Sequence, residues 1–299
     1  MKTHRKKTAI AVFVLVTLLV AQTARPETGG KPSLAIAYTN KILADIDPKD
    51  ATAALKMYVD ELAKSAGYQG ASYLYDDIEE AIRKVNKDLF DVVALTSLDY
   101  LLIEKRVDVE LAFGQVKGGK VGLKYLLLTN ANRGYTKLSD LKGKKLLLPK
   151  GDDIAALYLN TVLLKNRLGE VKNFFSSVEE KTKPSQGVLA VFFGQADACV
   201  TTDVALQTMV EMNPQIGKSL NILTSSPELV ASVSVFRRSL NADIKKKTID
   251  TALKLKDNPR GRQILLLFKI DDLTLLKGSD LTGVRELVNE YDRLRAGKR

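Results

Sequence analysis

The stretch SDLKGKKLLLPKGDDIAALYLNTVLL, from Ser139 to Leu164, has the pattern of one strand–loop–helix unit of an α/β fold. It contains a charged turn, a short apolar strand at residues 145–148, a loop, and then an amphipathic helix. A loop that leads from a strand into a helix often holds an anion, because free backbone N–H groups and the helix dipole point at it. Here the loop carries Asp152 and Asp153, so two carboxylates stand where an anion would be expected.

The alternation of strands and helices around this stretch predicts two α/β units. Before it, the chain reads strand, helix, strand, helix, strand between SLAIAYTN (33–40) and DVVALTS (91–97). The same alternation restarts at KKLLLP (144–149) and continues to LNILTSSP (220–227). A further strand is predicted at ASVSVF (231–236), and three helical stretches that follow it are expected to close the first unit. This pattern is typical of mostly parallel sheets covered by helices.

The predicted architecture is therefore a two-lobed α/β fold. Lobe 1 is expected to comprise residues 32–125 and 231–299, and lobe 2 residues 126–230. In such folds a ligand binds in the crevice at the carboxyl ends of the strands, here between the lobes. We expect ligand binding to close the lobes about the strands that cross between them.

The first 24 residues have the composition of a secretory signal peptide. A basic segment, MKTHRKK, precedes an apolar run from Ala9 to Ala21. This run has 13 residues, fewer than the roughly 20 that a membrane-spanning helix needs. We predict export to the periplasm, with an uncleaved, tilted membrane anchor as the alternative. The membrane is otherwise expected to matter only through a partner protein.

Two residue types exclude several classes of enzyme. The only histidine is His4, within the predicted leader, and the only cysteine is Cys199. The exported chain then lacks Ser–His and Cys–His nucleophile pairs and histidine-bound zinc. One cysteine allows no internal disulfide. We predict no catalytic residues, no cofactor and no metal, and we interpret Cys199 as a buried apolar residue.

The net charge of +11 does not by itself identify a partner. About +7 remains outside the leader, and these lysines and arginines are spread along predicted helices. The chain has no tryptophan and no nucleic-acid-binding motif. We therefore predict no nucleic-acid partner. Two α/β lobes, an export signal and no catalytic constellation favour a protein that binds a small solute.

Four segments carry a resemblance to a known family. They are DIEEAIRKVNKDLFDVVALTSLDYLL (77–102), YTKLSDLKGKKLLLPKGDD (135–153), GVLAVFFGQADACVTTDVAL (187–206) and NILTSSPEL (221–229). In this order they resemble the phosphate/phosphite/phosphonate substrate-binding proteins of ABC importers, which have the type 2 periplasmic-binding fold. The resemblance covers roughly residues 32–291. It implies a monomeric protein that captures a small polar ligand and presents it to a membrane permease.

The chain departs from that family in the loop that carries Asp152 and Asp153. Phosphonate binders of the family typically carry Ser-Thr-Ser-Gly there, whereas this chain reads KGDDIAAL. Two ionised carboxylates would repel a dianion at close range. Either Asp152 or Asp153 caps the helix, or one caps while the other meets a cation or a hydrogen-bond donor such as a ligand amine. A third possibility is that both bind a divalent ion.

Other candidate ligand residues follow from strand ends and helix starts. Ser97 and Tyr100 form the turn that supplies contacts in the family, and Asp203 matches a position where relatives place an acid near the ligand. The alternative for each is a helix cap or core packing. The predicted ligand-binding set is Tyr38, Ser97, Tyr100, Asp152, Asp153, Tyr158, Ser185, Gln186, Thr202 and Asp203.

Two other functions remain open from the sequence. A periplasmic sensing module could use the same fold to signal to a membrane receptor kinase, and an enzyme could use the same cleft. The first would be distinguished by neighbouring genes for a kinase rather than for a permease and an ATPase. The second is disfavoured because no nucleophile–base pair is present.

Overall fold

The chain forms two β-sheets with helices packed on them. The computed structural model describes residues 33–44 and 46–297, so the predicted leader lies outside the described residues. The first sheet contains β1 (Ser33–Thr39), β2 (Gln69–Tyr75), β3 (Val92–Thr96), β4 (Val109–Val116), β10 (Ser232–Arg237) and β11 (Asp272–Leu275). The second contains β5 (Gly122–Asn130), β6 (Lys145–Pro149), β7 (Ser177–Lys181), β8 (Ala198–Thr202) and β9 (Leu220–Val230).

Both sheets combine parallel and antiparallel strands. The strand orders are β11–β4–β10–β3–β1–β2 and β7–β6–β8–β5–β9. β1 runs parallel to β2 and β3, and β6 runs parallel to β7 and β8. β10 pairs antiparallel with β3 and β4, and β5 pairs antiparallel with β8 and β9. The parallel strands are the ones predicted from the strand–helix alternation, and the α/β class is confirmed.

The helices follow the predicted alternation closely. They are α1 (Pro48–Ala66), α2 (Ile78–Asn86), α3 (Ser97–Ile103), α4 (Asp153–Lys165), α5 (Val171–Phe174), α6 (Pro184–Phe192), α7 (Asp203–Met212), α8 (Pro214–Ser219), α9 (Ala242–Ala252), α10 (Pro259–Leu267) and α11 (Thr282–Ala296). No helix among the described residues is both long and apolar enough to cross a membrane.

Helix α1 shows how local sequence sets these boundaries. The Asp47 carboxylate accepts a hydrogen bond from the Lys49 backbone N–H at 2.9 Å, and Pro48 occupies the first turn, where no N–H is needed. Gly67 ends the helix with a left-handed φ of 80°, which glycine adopts without steric cost. The apolar stripe between these ends packs against the first sheet, in the core that also contains Tyr38.

The chain passes between the sheets from β4 to β5 and from β9 to β10. At the second passage the Ser97 hydroxyl donates to the Val230 carbonyl at 2.5 Å, and the Ser97 N–H donates to the Ala231 carbonyl at 3.0 Å. These bonds fix the start of α3 to the strand that leaves the second sheet.

The last helix lies elsewhere than the sequence indicated. α11 packs on α4 and β9 of the second sheet, and Lys165 forms an ion pair with Glu290 at 3.2 Å. The order of elements along the chain predicts that this helix closes the first unit, but chain order does not show which sheet a terminal amphipathic helix covers. The proposed lobe boundaries at residues 125/126 and 230/231 stay a prediction.

Candidate functional site

A cavity of about 450 Å³ lies between the two sheets. Four of its lining residues stand at or just after the carboxyl ends of parallel strands: Thr96, Pro149 and Thr202 end β3, β6 and β8, and Thr182 follows β7. Lys41, in the turn after β1, also lines it. This is the position at which α/β folds bind ligands, because loops from several strands converge there.

Four helices begin at this cavity. The residues that cap α3, α4, α6 and α7 are Thr96, Asp152, Lys183 and Thr202, and all four line the cavity. The hydroxyl of Thr202 accepts a hydrogen bond from the Ala205 N–H at 3.2 Å. Unpaired first-turn N–H groups and the aligned helix dipoles give this end of each helix a partial positive charge. The backbone alone therefore favours a negatively charged ligand.

Asp152 is the N-cap of α4. Its carboxylate accepts hydrogen bonds from the Ala155 N–H at 3.1 Å and from the Tyr125 hydroxyl at 3.0 and 3.1 Å. Burial raises the pKa of this carboxyl above its ordinary value, although both hydrogen bonds work in the opposite direction. Burial and the Asp152 charge raise the pKa of Tyr125 well above its usual range, so the phenol stays a donor.

Asp153 meets a cation supplied by the protein itself. The ammonium of Lys41 lies 2.7 Å from the Asp153 carboxylate and 3.3 Å from both carboxylate oxygens of Asp99. Burial works to lower the pKa of Lys41, but the hydrogen bond to Asp153 and the charge of Asp99 raise it overall. Lys41 follows β1 of the first sheet, whereas Asp153 begins a helix on the second sheet, so this pair spans the cavity.

The remaining charges that line the cavity are lysines. Lys117, Lys150, Lys183 and Lys269 join Lys41 there, against Asp152 and Asp153 as the only acidic lining residues described. Within the described parts of the chain, no carboxylate lies at ion-pair distance from Lys117, Lys150 or Lys183. Residues 33–44 and 46–297 contain no cluster of three or more histidine, cysteine or carboxylate side chains that could hold a metal.

Four of the ten predicted ligand residues line the cavity: Asp152, Asp153, Ser185 and Thr202. Ser185 lies in the first turn of α6, where its N–H has no partner within the helix. Asp152 and Asp153 take the roles of helix cap and partner of a cation, one of the arrangements that the sequence left open.

The other six predicted residues do not line this cavity, and three of them belong to the first sheet and its helices. Tyr38 is buried and stacks on Phe268, with ring centroids 6.4 Å apart. Ser97 is fully buried by its bond to Val230. Tyr100 is buried near Glu104, and burial, followed by the Glu104 charge, raises its pKa to about 12.

The remaining three bond within the second sheet and its helices. Tyr158 donates from its hydroxyl to Thr224 Oγ1 at 3.1 Å. Gln186 Oε1 accepts from the Lys183 N–H at 3.3 Å. Asp203 accepts from the backbone N–H groups of Lys124 and Val204. Each of these side chains therefore already has a hydrogen-bond partner within the protein.

Sequence reasoning missed the lysines and Tyr125. Lys150 and Lys183 lie between the end of a strand and the start of a helix, the same position that drew attention to Asp152 and Asp153. The sequence therefore contains the same positional signal for these two lysines as for the two aspartates. Tyr125 lies within β5 and carries no such signal. Lys41 also follows a strand, but its role depends on Asp153, 112 positions away, as that of Tyr125 depends on Asp152, 27 positions away.

Two α/β sheets with a cationic cavity between them define the class of two-lobed, type 2 periplasmic-binding folds. A sequence profile of the family described as "ABC transporter, phosphonate, periplasmic substrate-binding protein" matches residues 41–281. The match covers most of the 299 residues, and the chain belongs to this family. No curated protein matches the sequence significantly.

Solved structures from three bacteria share the fold. The binding-protein component of an ABC phosphonate transporter from Pseudomonas aeruginosa is 16% identical, with a TM-score of 0.66 over 90% of each chain. PhnD1 from Prochlorococcus marinus, in complex with methylphosphonate, is 14% identical, with a TM-score of 0.65 over 87% of this chain and 98% of that one. A Xanthomonas citri protein bound to ATP is 16% identical, with a TM-score of 0.63 over 88% and 98%.

These findings confirm the expected fold and the expected family. The chain is a solute-binding protein of the ABC-transporter type, and its family is one of substrate-binding proteins rather than enzymes. The sensing and enzymatic alternatives are not favoured by the comparisons. At these identities the solved structures support the fold and carry no residue-level roles.

Proposed function

We propose that this protein captures a small anion with a phosphorus oxyanion head group in the cavity between its sheets. The observation that carries the proposal is the surplus of lysine over carboxylate. Lys117, Lys150 and Lys183 face the cavity without a described carboxylate partner, beside the N-termini of α4 and α6. Lysine ammonium groups and first-turn N–H groups are the donors that proteins use to hold such anions.

The two aspartates do not oppose this ligand. Asp152 accepts hydrogen bonds from a backbone N–H and a phenol, and Asp153 is paired with Lys41. Both carboxylates are therefore compensated by groups of the protein before a ligand enters. The expectation that they would repel a dianion considered their charges alone, whereas the lining as a whole carries five lysines and two aspartates.

The relatives support the same head group. PhnD1 is described in complex with methylphosphonate and the Xanthomonas citri protein in complex with ATP, and both ligands carry a phosphorus oxyanion. The family description adds a periplasmic location and an ABC transporter. We propose that the leader exports this chain and that an ABC permease receives the ligand from it.

Isothermal titration calorimetry tests the ligand class. Methylphosphonate and inorganic phosphate should bind the purified protein, whereas acetate should bind far more weakly. A ligand at 100 times its dissociation constant should also stabilise the fold by about 2.7 kcal/mol. If amines or neutral sugars bind and no phosphorus oxyanion does, the proposal is wrong.

A pair of lysine variants tests where the anion binds. Lys183→Gln should weaken methylphosphonate binding about tenfold, because it removes one charge-assisted contact. Lys218→Gln makes the same change of net charge on α8, outside the cavity lining, and should leave the affinity nearly unchanged. Equal losses in both variants would indicate only long-range attraction and would contradict a site at α6.

A further inference from the structure

A second, smaller cavity adjoins the first. It has a volume of about 30 Å³ and shares Ile42, Gln115 and Ser232 with the main cavity. We call it the annex. It extends into the first sheet on the side of α1 and α10, where Tyr38, Tyr58 and Phe268 form much of its wall. A volume of this size holds about two or three groups as large as a water molecule.

The annex contains polar groups that have no partner in the protein. The Tyr38 hydroxyl is buried and has no hydrogen-bond partner among the described residues. The side chains of Gln115 and Ser232, at the junction of the two cavities, form no hydrogen bond to a described residue either. A buried hydroxyl without a partner costs about 1–3 kcal/mol, so a bound group that supplied one would gain binding energy here.

The annex is otherwise apolar and uncharged. Its described lining includes no aspartate, glutamate, lysine or arginine. Burial raises the pKa of Tyr38 well above its ordinary value and that of Tyr58 too, so both phenols are neutral. An ammonium group in this space would be buried without a counter-charge, which is strongly unfavourable, whereas a hydroxyl needs only a hydrogen bond.

We propose that the annex binds the organic substituent of the ligand, and that this substituent is short, neutral and ends in a hydroxyl that bonds to Tyr38. The proposal rests on the proposed function, in which the main cavity holds the oxyanion head. The substrate class is therefore a small hydroxyalkyl phosphonate rather than an aminoalkyl phosphonate. Gln115 and Ser232 lie where the chain of the substituent passes from one cavity to the other.

Calorimetry with three matched ligands tests this inference. For the purified protein we expect 2-hydroxyethylphosphonate to bind about tenfold more tightly than methylphosphonate, and 2-aminoethylphosphonate to bind more weakly than either. Tyr38→Phe should weaken 2-hydroxyethylphosphonate binding about fivefold to tenfold and leave methylphosphonate binding unchanged. This variant removes one oxygen that has no hydrogen-bond partner and keeps the ring, so the stability of the fold should not decrease.

Ala94→Val provides an independent check, because Ala94 lines the annex and not the main cavity. The added methyl groups should reduce the affinity for 2-hydroxyethylphosphonate to that for methylphosphonate, whose binding also reports that the variant is folded. If methylphosphonate binds and neither variant changes the preference, the annex holds only water and the inference is wrong. If no phosphonate or phosphate binds the wild type, the proposed function fails, and this inference fails with it.

Discussion

Two loops of the second sheet occupy equivalent places and differ in how their charges are balanced. β6 and β7 are parallel neighbours, and each leads through a short loop into a helix that begins at the cavity. In the loop after β6, both carboxylates are engaged by Ala155, Tyr125 and Lys41. In the loop after β7, Lys183 and Ser185 line the cavity, and their side chains have no carboxylate partner among the residues described.

The difference teaches that a residue's charge does not by itself decide what a site attracts. From the sequence alone, the loop with two aspartates is expected to repel an anion. Its carboxylates are, however, already bonded to groups of the protein. The loop after β7 contributes Lys183, which has no carboxylate partner among the described residues, and its charge adds to those of Lys117 and Lys150 in the cavity lining. A charge that is paired within the protein interacts mainly with its partner, whereas a charge without a partner can interact with a ligand.

The largest expected effect comes from removing the cation of the first loop. Lys41→Gln leaves Asp99 and Asp153 without their common partner, so the loop after β6 becomes anionic. One unit of charge close to a dianion in a partly dry cleft changes its binding by about 2–3 kcal/mol. We expect methylphosphonate affinity in calorimetry to fall about 30- to 100-fold.

A second substitution distinguishes compensation from direct contact. In Lys41→Gln/Asp153→Asn the uncovered carboxylate is removed as well, so most of the lost affinity should return. If the double variant binds no better than Lys41→Gln, then Lys41 contacts the ligand directly. Its main role would then not be to compensate the charge of Asp153.

The two adjacent aspartates should differ in their contributions to stability. Asp152→Ala removes the cap of α4 and leaves the buried Tyr125 hydroxyl without its acceptor. We expect the free energy of unfolding in urea to fall by about 2–3 kcal/mol. Asp153→Ala breaks a pair in which both side chains are partly exposed and should cost about 0.5 kcal/mol. Equal losses would show that both carboxylates have the same structural role.

The α/β architecture could be predicted from the sequence because it depends on local patterns. The strands at β1, β3 and β6 are short apolar runs, and helices such as α1 begin at a capping residue and end at glycine. The position of the ligand cavity also followed, since the carboxyl ends of parallel strands meet at one edge. Ser185 and Thr202, chosen at a helix start and a strand end, do line the cavity, and their contact with a ligand stays a prediction.

The electrostatics of the site could not be predicted in the same way. The bond from Tyr125 to Asp152 and the pair between Lys41 and Asp153 join distant parts of the chain, and no local pattern encodes them. The direction of the Tyr38 side chain could not be predicted either. Its position at the end of β1 favours a wall of the cleft, but the position does not show which face of the strand carries the side chain. Its side chain points away from the main cavity, because this face of β1 packs against α1, and there it lines the annex instead.

The smallest expected effect separates the two aspartates by pH. Burial raises the pKa of Asp152 in the folded protein above its ordinary value of about 3.9, so the folded chain holds this proton more tightly than the unfolded chain. As the pH rises from 3.9 through the raised pKa, the wild type loses stability from this group.

Asp152→Asn keeps an oxygen for the Ala155 N–H and has no proton to release, so its stability relative to wild type should increase with pH across this window and then level off. Urea unfolding of both proteins between pH 4 and 8 measures the difference, and Asp153→Asn serves as the matched control. A relative stability of Asp152→Asn that decreases with pH would mean that hydrogen bonding, rather than burial, dominates at Asp152.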